Sequence, residues 1–560
     1  MRLSTKRSML LLLFTLFLSL RMFTNSANIR LASDSLKFLE LAKNFPYHTL
    51  YNHQLYTQHP PFYPYMIHFF TWLLYQDYLA AIVLSFLSSC ITFFVIYKFF
   101  KLISRRFDAA VIAMVIFSLS AEMVLASKKV VREPFVIMLI VSAIYFYVKW
   151  LKFNGKKSLI AASVFGALLG ATSDHTIFVL PAFALSYLFF NRDKANIRKF
   201  HFPNIKYAIV PIAIILLVYL SWLSAKAYIY SSSEYYPTGL EGTPVKTGNL
   251  GPLQLITPTY FYDYEQNAGI RHGVISRLKN YAFNFGYMIN LEPFSIPRGL
   301  NLTTKDYLLL PKHILYMIFI YAPLAAITLY GFISIVYNSV KRRKLYNNAD
   351  LYVLLLFFIF AFPITQRVTS PSYIFPAYIF LFYIIGVGLA ELAARYSAVP
   401  AVIKRNKKLF AIIFVLLLLA LAAFWISNNP YVVLFSEKVV ASQKTGDYIS
   451  RNIGKNSVIM AQPGYVVKLI YTTENKILGL PSRRDELTRM IKYYKSDYVV
   501  FGRYFTLDEF HYSKDSIDFI QNNPKKFKLV AAIDEDNSRF FPPEDKKSKD
   551  VLYIYKILKD

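Results

Sequence analysis

The chain has 560 residues, of which 55% are hydrophobic, 17% aromatic and only 17% charged. Soluble proteins carry about a quarter charged residues, so this composition excludes a disordered chain and a disulfide-stapled scaffold. The net charge of +30 is high enough to suggest a nucleic-acid partner, but the basic residues cluster between apolar segments, as they do in membrane proteins.

The N-terminal residues 1–23 combine a basic start with an apolar run at 9–20. Cleaved signal peptides and first transmembrane helices share this pattern. Arg21 interrupts the run and no Ala-x-Ala cleavage site follows. We therefore expect an uncleaved first helix, with a signal peptide as the alternative.

Further apolar segments predict the remaining membrane spans. They lie at 78–97, 109–125, 134–151, 158–172, 176–190, 207–225, 313–337, 351–366, 372–394 and 409–426. With the first helix they give about eleven transmembrane helices. The single cysteine, Cys90, lies inside one of these segments, which excludes an intramolecular disulfide and a zinc–thiolate site.

The basic residues between the spans predict the orientation. When the helices are counted alternately, the basic clusters fall on one face: Arg2, Lys6 and Arg7; Lys98, Lys101, Arg105 and Arg106; Lys149, Lys152, Lys156 and Lys157; Arg192, Lys194, Arg198 and Lys199; Lys341, Arg342, Arg343 and Lys344; Lys404, Arg405, Lys407 and Lys408. By the positive-inside rule that face, with the N-terminus, is cytoplasmic. We predict a multi-pass protein of a bacterial or archaeal cell membrane, with the endoplasmic reticulum as the alternative, and no nucleic-acid partner.

The extracytoplasmic face receives the longer connections. The first outer loop, 24–77, contains a semi-apolar run at 62–75, which predicts an interfacial or re-entrant helix because it is too short and too polar for a span. The long outer loop, 226–311, is rich in Tyr, Pro and Gly, and its length predicts a functional lid. The spans and these loops form a predicted transmembrane domain over residues 1–428.

Residues 431–560 change to short alternating helices and strands. This pattern predicts a soluble extracytoplasmic α/β domain. Its predicted elements are an amphipathic segment at 438–452, helices at 465–471 and 485–494, and strands at 457–461, 498–501, 527–532 and 551–557. The segment contains no Gly-rich phosphate loop and no His/Cys cluster.

Two acidic residues of the outer face are candidates for chemistry. Asp34 precedes a short amphipathic helix in which Phe38, Leu41 and Ala42 share a face, and capping that helix is the alternative role. Glu133 opens the 134–151 span, where the helix dipole also favours an acid. An ionisable side chain at the mouth of a helix bundle is nevertheless a functional candidate.

Other candidate residues lie on the same predicted face. Asp174 and His175 form a polar turn between two spans, with a simple turn as the alternative. Arg367 is the strong cation of its outer connection, with an interface anchor as the alternative. The further candidates are His59 and Tyr63, which flank a Pro-Pro turn, and Lys128 and Arg132, which precede Glu133.

Together these residues resemble the GT-C class of membrane glycosyltransferases that use polyprenyl-phosphate sugars, and in particular the protein mannosyltransferase and lipid A aminoarabinose transferase family. The motifs that carry the resemblance are an acid with an aromatic at i+4 and Ala at i+8 (Asp34, Phe38, Ala42), a Pro-Pro-aromatic element (Pro60, Pro61, Phe62, Tyr63), an acid-Pro-aromatic helix start (Glu133, Pro134, Phe135) and an Arg before an aromatic-Pro helix start (Arg367, Tyr373, Pro376). The sequence departs from the family at Ser35, where many members have a second acid, and at Ser173, Asp174 and His175, where many have Lys or Arg.

The resemblance implies an integral-membrane, inverting transfer of a sugar from a polyprenyl-phosphate carrier to an extracytoplasmic protein, lipid or glycan. Asp34 is the candidate general base, and Glu133 orients the acceptor or polarises His59. The leaving phosphate requires a nearby cation, for which an Arg is well suited. His175, Lys128, Arg132 and Arg367 are the alternatives for that cation, and Tyr63 and Asp174 are further substrate-binding candidates.

No metal or other cofactor is expected, because monophosphate donors have no evident need of one. A divalent metal is the alternative, but its candidate ligands are scattered along the sequence: Asp34, His59, Glu133, Asp174 and His175. The main alternative function is a lipid-linked sugar flippase or another transporter. Transporters often show internal repeats and interrupted midplane helices, which this sequence lacks. A non-catalytic scaffold displaying 431–560 is the second alternative, and it predicts that Asp34 and Glu133 tolerate substitution.

Overall fold

The computed structural model describes residues 3–23, 33–44, 50–51, 54–55, 60–104, 107–128, 130–190, 205–232, 235–237, 244–246, 322–341, 348–361, 375–395, 443–481, 483–502, 514–535 and 550–558. The predicted span at 409–426 and most of the predicted lid at 226–311 lie outside these residues.

Helices dominate the chain up to residue 395. They are α1 (Leu3–Phe23), α2 (Ser33–Lys43), α3 (Phe62–Leu74), α4 (Asp77–Ile103), α5 (Phe107–Leu119), α6 (Ala121–Ala126), α7 (Glu133–Phe153), α8 (Lys156–Gly170), α9 (Thr176–Phe190), α10 (Ile205–Ser232), α11 (Ala322–Lys341), α12 (Ala349–Ala361) and α13 (Phe375–Arg395). Two short antiparallel hairpins accompany them: β1 (Leu50–Tyr51) with β2 (Gln54–Leu55), and β3 (Tyr235–Pro237) with β4 (Pro244–Lys246).

The apolar helices make this a helical membrane protein. Among the described residues, four helical stretches are long and apolar enough to cross a bilayer: Asp77–Ile103, Glu133–Phe153, Ile205–Ala225 and Phe375–Leu392. Leu217 and Leu220 of α10 are 69% and 51% exposed, as expected for side chains that face lipid. The total number of spans and their orientation stay predictions.

The predicted spans agree with observed helices at most of the described positions, with one clear difference. The single span predicted at 109–125 is two helices, α5 and α6, separated at Ser120. The hydroxyl group of the nearby Ser118 donates to the carbonyl oxygen of Met114, 2.8 Å away. Such back-bonding by serine competes with regular helical geometry.

The helix α7 lies at the centre of the bundle. It packs against α4, α8 and α9, and every residue from Pro134 to Tyr145 is buried. A helix that is apolar and buried on all sides belongs to a core. Its first residue, Glu133, therefore lies at the end of a helix that is largely enclosed by its neighbours.

Glycines allow α13 to approach two neighbours closely. A Cβ atom on Gly386 would lie 2.5 Å from the carbonyl oxygen of Ala109 in α5, and one on Gly388 would lie 2.5 Å from that of Ile327 in α11. Small residues of this kind let membrane helices pack backbone against backbone.

The C-terminal part of the chain contains a five-stranded mixed sheet. Its elements are α14 (Gln443–Asn452), β5 (Val458–Ala461), α15 (Pro463–Thr472), β6 (Lys476–Gly479), α16 (Arg484–Tyr494), β7 (Tyr498–Gly502), α17 (Lys514–Gln521), β8 (Phe527–Glu535) and β9 (Asp550–Ile557). The strand order is β6-β5-β7-β9-β8. The strands β5, β6 and β7 are parallel, and β9 pairs antiparallel to both β7 and β8.

Helices cover both faces of this sheet. Side chains of α14 and α15 share one hydrophobic core with Ile459 and Ala461, and side chains of α16 and α17 share another with Met460. Successive side chains of a strand point to opposite faces, so the two helix pairs lie on opposite faces. The sequence did not predict β6 and α17, which are among the shortest elements of the region. The extracytoplasmic location of residues 431–560 stays a prediction.

The helix α2 joins the two parts of the structure. It packs against α3 on one side and against α15 on another. Ser35, Leu36, Lys37, Phe38 and Leu39 are all buried. The predicted helix and the burial of its apolar face are therefore confirmed, but the polar residues Ser35 and Lys37 are buried as well.

Candidate functional site

The acid-bearing helix α2 is held against α3 by aromatic and polar contacts. The rings of Phe38 and Tyr63 meet edge to face with centroids 5.0 Å apart. His68 Nδ1 lies 3.0 Å from the carbonyl oxygen of Ala42, near the other end of α2. Each aromatic pair of this kind stabilises the packing by about 1 kcal/mol beyond simple burial. The two sequence motifs around Asp34 and the Pro-Pro turn therefore meet in the fold.

The turn before α7 is fixed by two hydroxyl groups. Tyr63 Oη donates to the carbonyl oxygen of Val131 at 2.9 Å, and Ser85 Oγ donates to the same oxygen at 3.1 Å. Burial is the main cause that raises the pKa of Tyr63, with a further contribution from the nearby negative charge of Glu133. The phenol therefore stays protonated and remains a donor, and it positions the segment that leads into Glu133.

Arg132 lies between this turn and α2. It is 4% exposed, and its guanidinium carbon lies 5.9 Å from the centre of the Phe38 ring. A cation over an aromatic face is stabilised by about 0.5–1 kcal/mol or more when water is excluded. The next residue, Glu133, is half-buried at the first position of α7. The predicted residues Tyr63, Arg132 and Glu133 are thus brought together with Phe38, one helical turn after Asp34.

Lys128 lies in the preceding turn and is also buried. Burial, together with the positive charge of Arg21, lowers the pKa of its amine to about 8. Arg21 itself is 2% exposed at the end of α1, where it stacks on Phe17 with its guanidinium carbon 3.6 Å from the ring centre. Its Nη1 lies 3.3 Å from the carbonyl oxygens of Phe17 and Ser118.

Arg21 and Lys37 are cations that sequence reasoning did not propose for the site. Both are almost completely buried, like Lys128 and Arg132. Burying a cation in a protein costs several kcal/mol unless charge or polar groups compensate for it. The available signal was that Arg21 lies within the predicted first helix, residues 1–23, where an ionisable residue is a functional candidate.

The Asp174-His175 turn is buried rather than exposed. Tyr219 Oη donates to Asp174 Oδ1 at 3.2 Å, and Ser173 Oγ lies 2.8 Å from His175 Nδ1. The Phe62 amide at the start of α3 donates to the carbonyl oxygen of Ala171 at 2.9 Å. This bond links the turn to the same helix that carries Tyr63. A role in substrate binding, and the alternative of a simple turn, stay predictions.

Three predicted site residues are not placed by the structure. The backbone of Asp34 lies in the first turn of α2, but its side chain is outside the described residues. His59 and Arg367 also lie outside them. Within the described part of the chain, no three His, Cys, Asp or Glu side chains gather as metal ligands. The roles of these residues and the expected absence of a metal stay predictions.

Comparisons with known proteins bear on the fold and the family. Residues 58–222 match the family model described as dolichyl-phosphate-mannose-protein mannosyltransferase. The crystal structure of apo ArnT from Cupriavidus metallidurans aligns over 98% of each chain with a TM-score of 0.53 at 12% identity. The resemblance to the GT-C membrane glycosyltransferases is confirmed. ArnT bound to undecaprenyl phosphate aligns over 97% of each chain with a TM-score of 0.51 at 11% identity.

The bounds of the family-model match, residues 58–222, divide the candidate residues into two groups. Tyr63, Lys128, Arg132, Glu133 and the Asp174-His175 turn lie inside the matched residues 58–222, whereas Asp34 and Arg367 lie outside them. At 11–12% identity the ArnT structures establish the fold alone. No curated protein matches the sequence.

Proposed function

We propose that the protein is an integral-membrane glycosyltransferase that moves a sugar from a polyprenyl-phosphate carrier to an extracytoplasmic protein, lipid or glycan. The observation that carries the proposal is the set of contacts between α2, Tyr63 and the Arg132-Glu133 turn at the N-terminus of α7. The family match over residues 58–222 and the ArnT-like fold support it. One of those ArnT structures holds undecaprenyl phosphate, a lipid of the proposed donor class.

The buried cations suit the leaving group of this reaction. When the bond between the anomeric carbon and the phosphate oxygen breaks, negative charge develops on the lipid phosphate. Lys128 and Arg132, which are 7% and 4% exposed, neutralise that charge most effectively because water is excluded around them. Arg132 also offers two donors to phosphate oxygens in a fixed geometry.

Asp34 is the proposed general base. The acceptor hydroxyl or amine attacks the anomeric carbon from the face opposite the phosphate and gives its proton to the Asp34 carboxylate. A single displacement inverts the anomeric configuration and passes through an oxocarbenium-like sugar. Glu133 orients the acceptor in this proposal, and the extracytoplasmic location of the site follows from the predicted orientation of the helices.

The test is genetic complementation with a matched control. The gene is deleted in its host and restored as wild type, as Asp34→Asn or as Asp108→Asn, and lipid-linked sugars and surface glycans are profiled by mass spectrometry. Asp108 is also an acid in the first turn of a helix, but in α5 at the predicted cytoplasmic end. Loss of general-base catalysis lowers the rate by about 100-fold or more, so we expect Asp34→Asn to lose the glycan and accumulate its donor, and Asp108→Asn to restore both.

A second measurement separates a transferase from a transporter. The purified protein in detergent has no compartments to move a lipid between, so a flippase releases no polyprenyl phosphate from the donor under these conditions. Release that depends on added acceptor supports the transferase. Full complementation by Asp34→Asn at normal expression would contradict its role as the base.

A further inference from the structure

The C-terminal sheet has a switch point between β5 and β7. From β5, which lies between β6 and β7 in the sheet, the chain passes through α15 to β6 on one side, and it returns through α16 to β7 on the other side. The two connecting helices lie on opposite faces of the sheet. In open α/β sheets the carboxyl ends of two such strands border a crevice, and ligands bind there.

Gln462 lies at this switch point. It follows β5 directly, and its backbone amide donates to the carbonyl oxygen of Val500 in β7 at 2.9 Å. Its side-chain Oε1 accepts a hydrogen bond from the amide of Gly502, the last residue of β7, at 3.1 Å. The Gln462 side chain therefore bridges the carboxyl ends of the two strands.

The Gln462 amide nitrogen is an unused donor. The residue is 1% exposed, and Nε2 is buried without a hydrogen-bond partner among the residues that the structure describes. A buried donor left unsatisfied costs about 1–3 kcal/mol. Because Oε1 accepts the hydrogen bond from the Gly502 amide, the orientation of the side-chain amide is fixed. Nε2 can then donate to an acceptor atom of a ligand.

The same residue precedes the N-terminus of α15. The side chain of Gln462 makes no capping bond to this helix, and its first turn contains no acidic residue. The first residue, Pro463, has no N–H group, and the N–H of Tyr465 donates to the carbonyl oxygen of Gln462 at 2.8 Å. The N–H of Gly464 and the helix dipole therefore remain to favour a negative charge at this end. By contrast, the first turns of α16 and α17 already carry the acids Asp485, Glu486 and Asp515.

Close packing keeps this corner in place. A Cβ atom on Gly502 would collide with the hydroxyl oxygen of Tyr465, which is 1% exposed on α15. The absence of a side chain at Gly502 therefore allows the end of β7 to approach α15. This approach brings the Gly502 amide within hydrogen-bonding distance of the Gln462 side chain.

We propose that the switch point at Gln462 binds an oxyanion, a phosphate group, through Nε2 and the N-terminus of α15. Anionic oxygens satisfy a buried amide donor and a helix N-terminus at the same time. The site is separate from the proposed transferase site and does not depend on that activity. The phosphate comes either as free phosphate or as the headgroup of a lipid.

The experiment measures binding of radiolabelled inorganic phosphate to the full-length protein in a zwitterionic detergent by equilibrium dialysis. Gln462→Glu keeps the shape and adds a negative charge, and the matched control is Gln521→Glu, which makes the same change at an exposed residue at the end of α17. The Lys128→Gln background weakens phosphate binding at the proposed transferase site, so that binding at Gln462 is measured separately. We expect saturable binding that Gln462→Glu weakens by about tenfold or more, while Gln521→Glu leaves it unchanged.

A neutral variant guards against misfolding. Gln462→Met removes the donor without adding charge, but it also removes the acceptor of the Gly502 amide. We therefore expect weaker phosphate binding by a protein that still unfolds cooperatively, at a lower Tm. Two results would overturn the proposal. One is unchanged phosphate affinity in a folded Gln462→Met protein, and the other is the absence of saturable phosphate binding by a Lys128→Gln protein that keeps Gln462. Competition by short-chain phosphatidic acid at concentrations well below those of inorganic phosphate identifies the headgroup as the source. Weaker competition identifies free phosphate.

Discussion

The hydroxyl group of Tyr63 donates a hydrogen bond of 2.9 Å to the carbonyl oxygen of Val131, which lies 68 residues later in the chain. This bond ties the helix after the Pro-Pro turn to the segment that begins the central helix α7. The ring of the same tyrosine packs against Phe38 of α2. A single side chain thus links the three motifs that carry Asp34, the Pro-Pro element and Glu133.

The shared carbonyl oxygen of Val131 predicts non-additive stability effects. In Tyr63→Phe the oxygen keeps the bond from Ser85, and in Ser85→Ala it keeps the bond from Tyr63. Each single change should lower the free energy of unfolding by about 1 kcal/mol. The double variant leaves the oxygen without either donor and should lose more than the sum, by about 1 kcal/mol. Thermal unfolding of the purified variants measures this.

Ser88→Ala is the control for that cycle, because the Ser88 hydroxyl bonds only to Leu84 in its own helix among the described contacts. Its effect should add to that of Tyr63→Phe. Simple additivity of Tyr63→Phe and Ser85→Ala would show that the Val131 bonds do not act together.

The lowered pKa of Lys128 predicts a basic limb in the pH profile of transfer. Below about pH 8 the free amine is protonated and attracts the donor phosphate, and as the pH rises through 8 it loses its charge. We expect kcat/KM for the lipid donor to fall above this pH. The bound phosphate raises the pKa of the amine, so the limb of kcat should lie at a higher pH than that of kcat/KM.

Lys128→Arg tests this assignment, because a guanidinium stays charged throughout the range. The variant should retain activity but lose the limb near pH 8. A limb that is unchanged in Lys128→Arg would assign the titration to another group.

The charge of Arg21 helps to set the pH at which kcat/KM falls, because it lowers the pKa of Lys128. Arg21→Met keeps a long apolar side chain against Phe17 but removes the positive charge that lowers the pKa of Lys128. The basic limb of kcat/KM should therefore move to higher pH. Arg21→Lys retains the charge and should leave the limb closer to its wild-type position. A limb that stays in place in Arg21→Met would mean that burial alone sets the pKa.

The close helix contacts of α13 predict a sharp response to one methyl group. Gly386→Ala brings a Cβ atom to 2.5 Å from the Ala109 carbonyl oxygen. Because this oxygen belongs to the backbone, relieving the clash requires a shift of α5 against α13. We expect a loss of about 1–3 kcal/mol and a lower Tm. Gly155→Ala is the control, since its Cβ would meet only Ser158 Oγ at 3.8 Å. An equal effect of the two substitutions would argue against close packing of α13 on α5.

Much of the fold follows from local patterns in the sequence. The apolar run at 176–190 predicts a helix with the same bounds as α9, and the run at 62–75 predicts α3 to within one residue. Strands at 457–461 and 498–501 were recognisable because runs of branched and aromatic residues stand between turn signals. The equally short strand β6 was missed, because Ile477 is its single β-branched residue and the strand depends on pairing with β5.

The sequence by itself determined the membrane-spanning character, the family resemblance and the residue types available for chemistry, because apolar length, charge distribution and short motifs are local properties. Only the tertiary structure decided which of those residues meet. The burial of Arg21 beside Lys128, the two donors on the Val131 carbonyl and the bridge from Gln462 to Gly502 each join segments far apart in the chain. Such contacts depend on how helices and strands pack, and no local pattern records that packing.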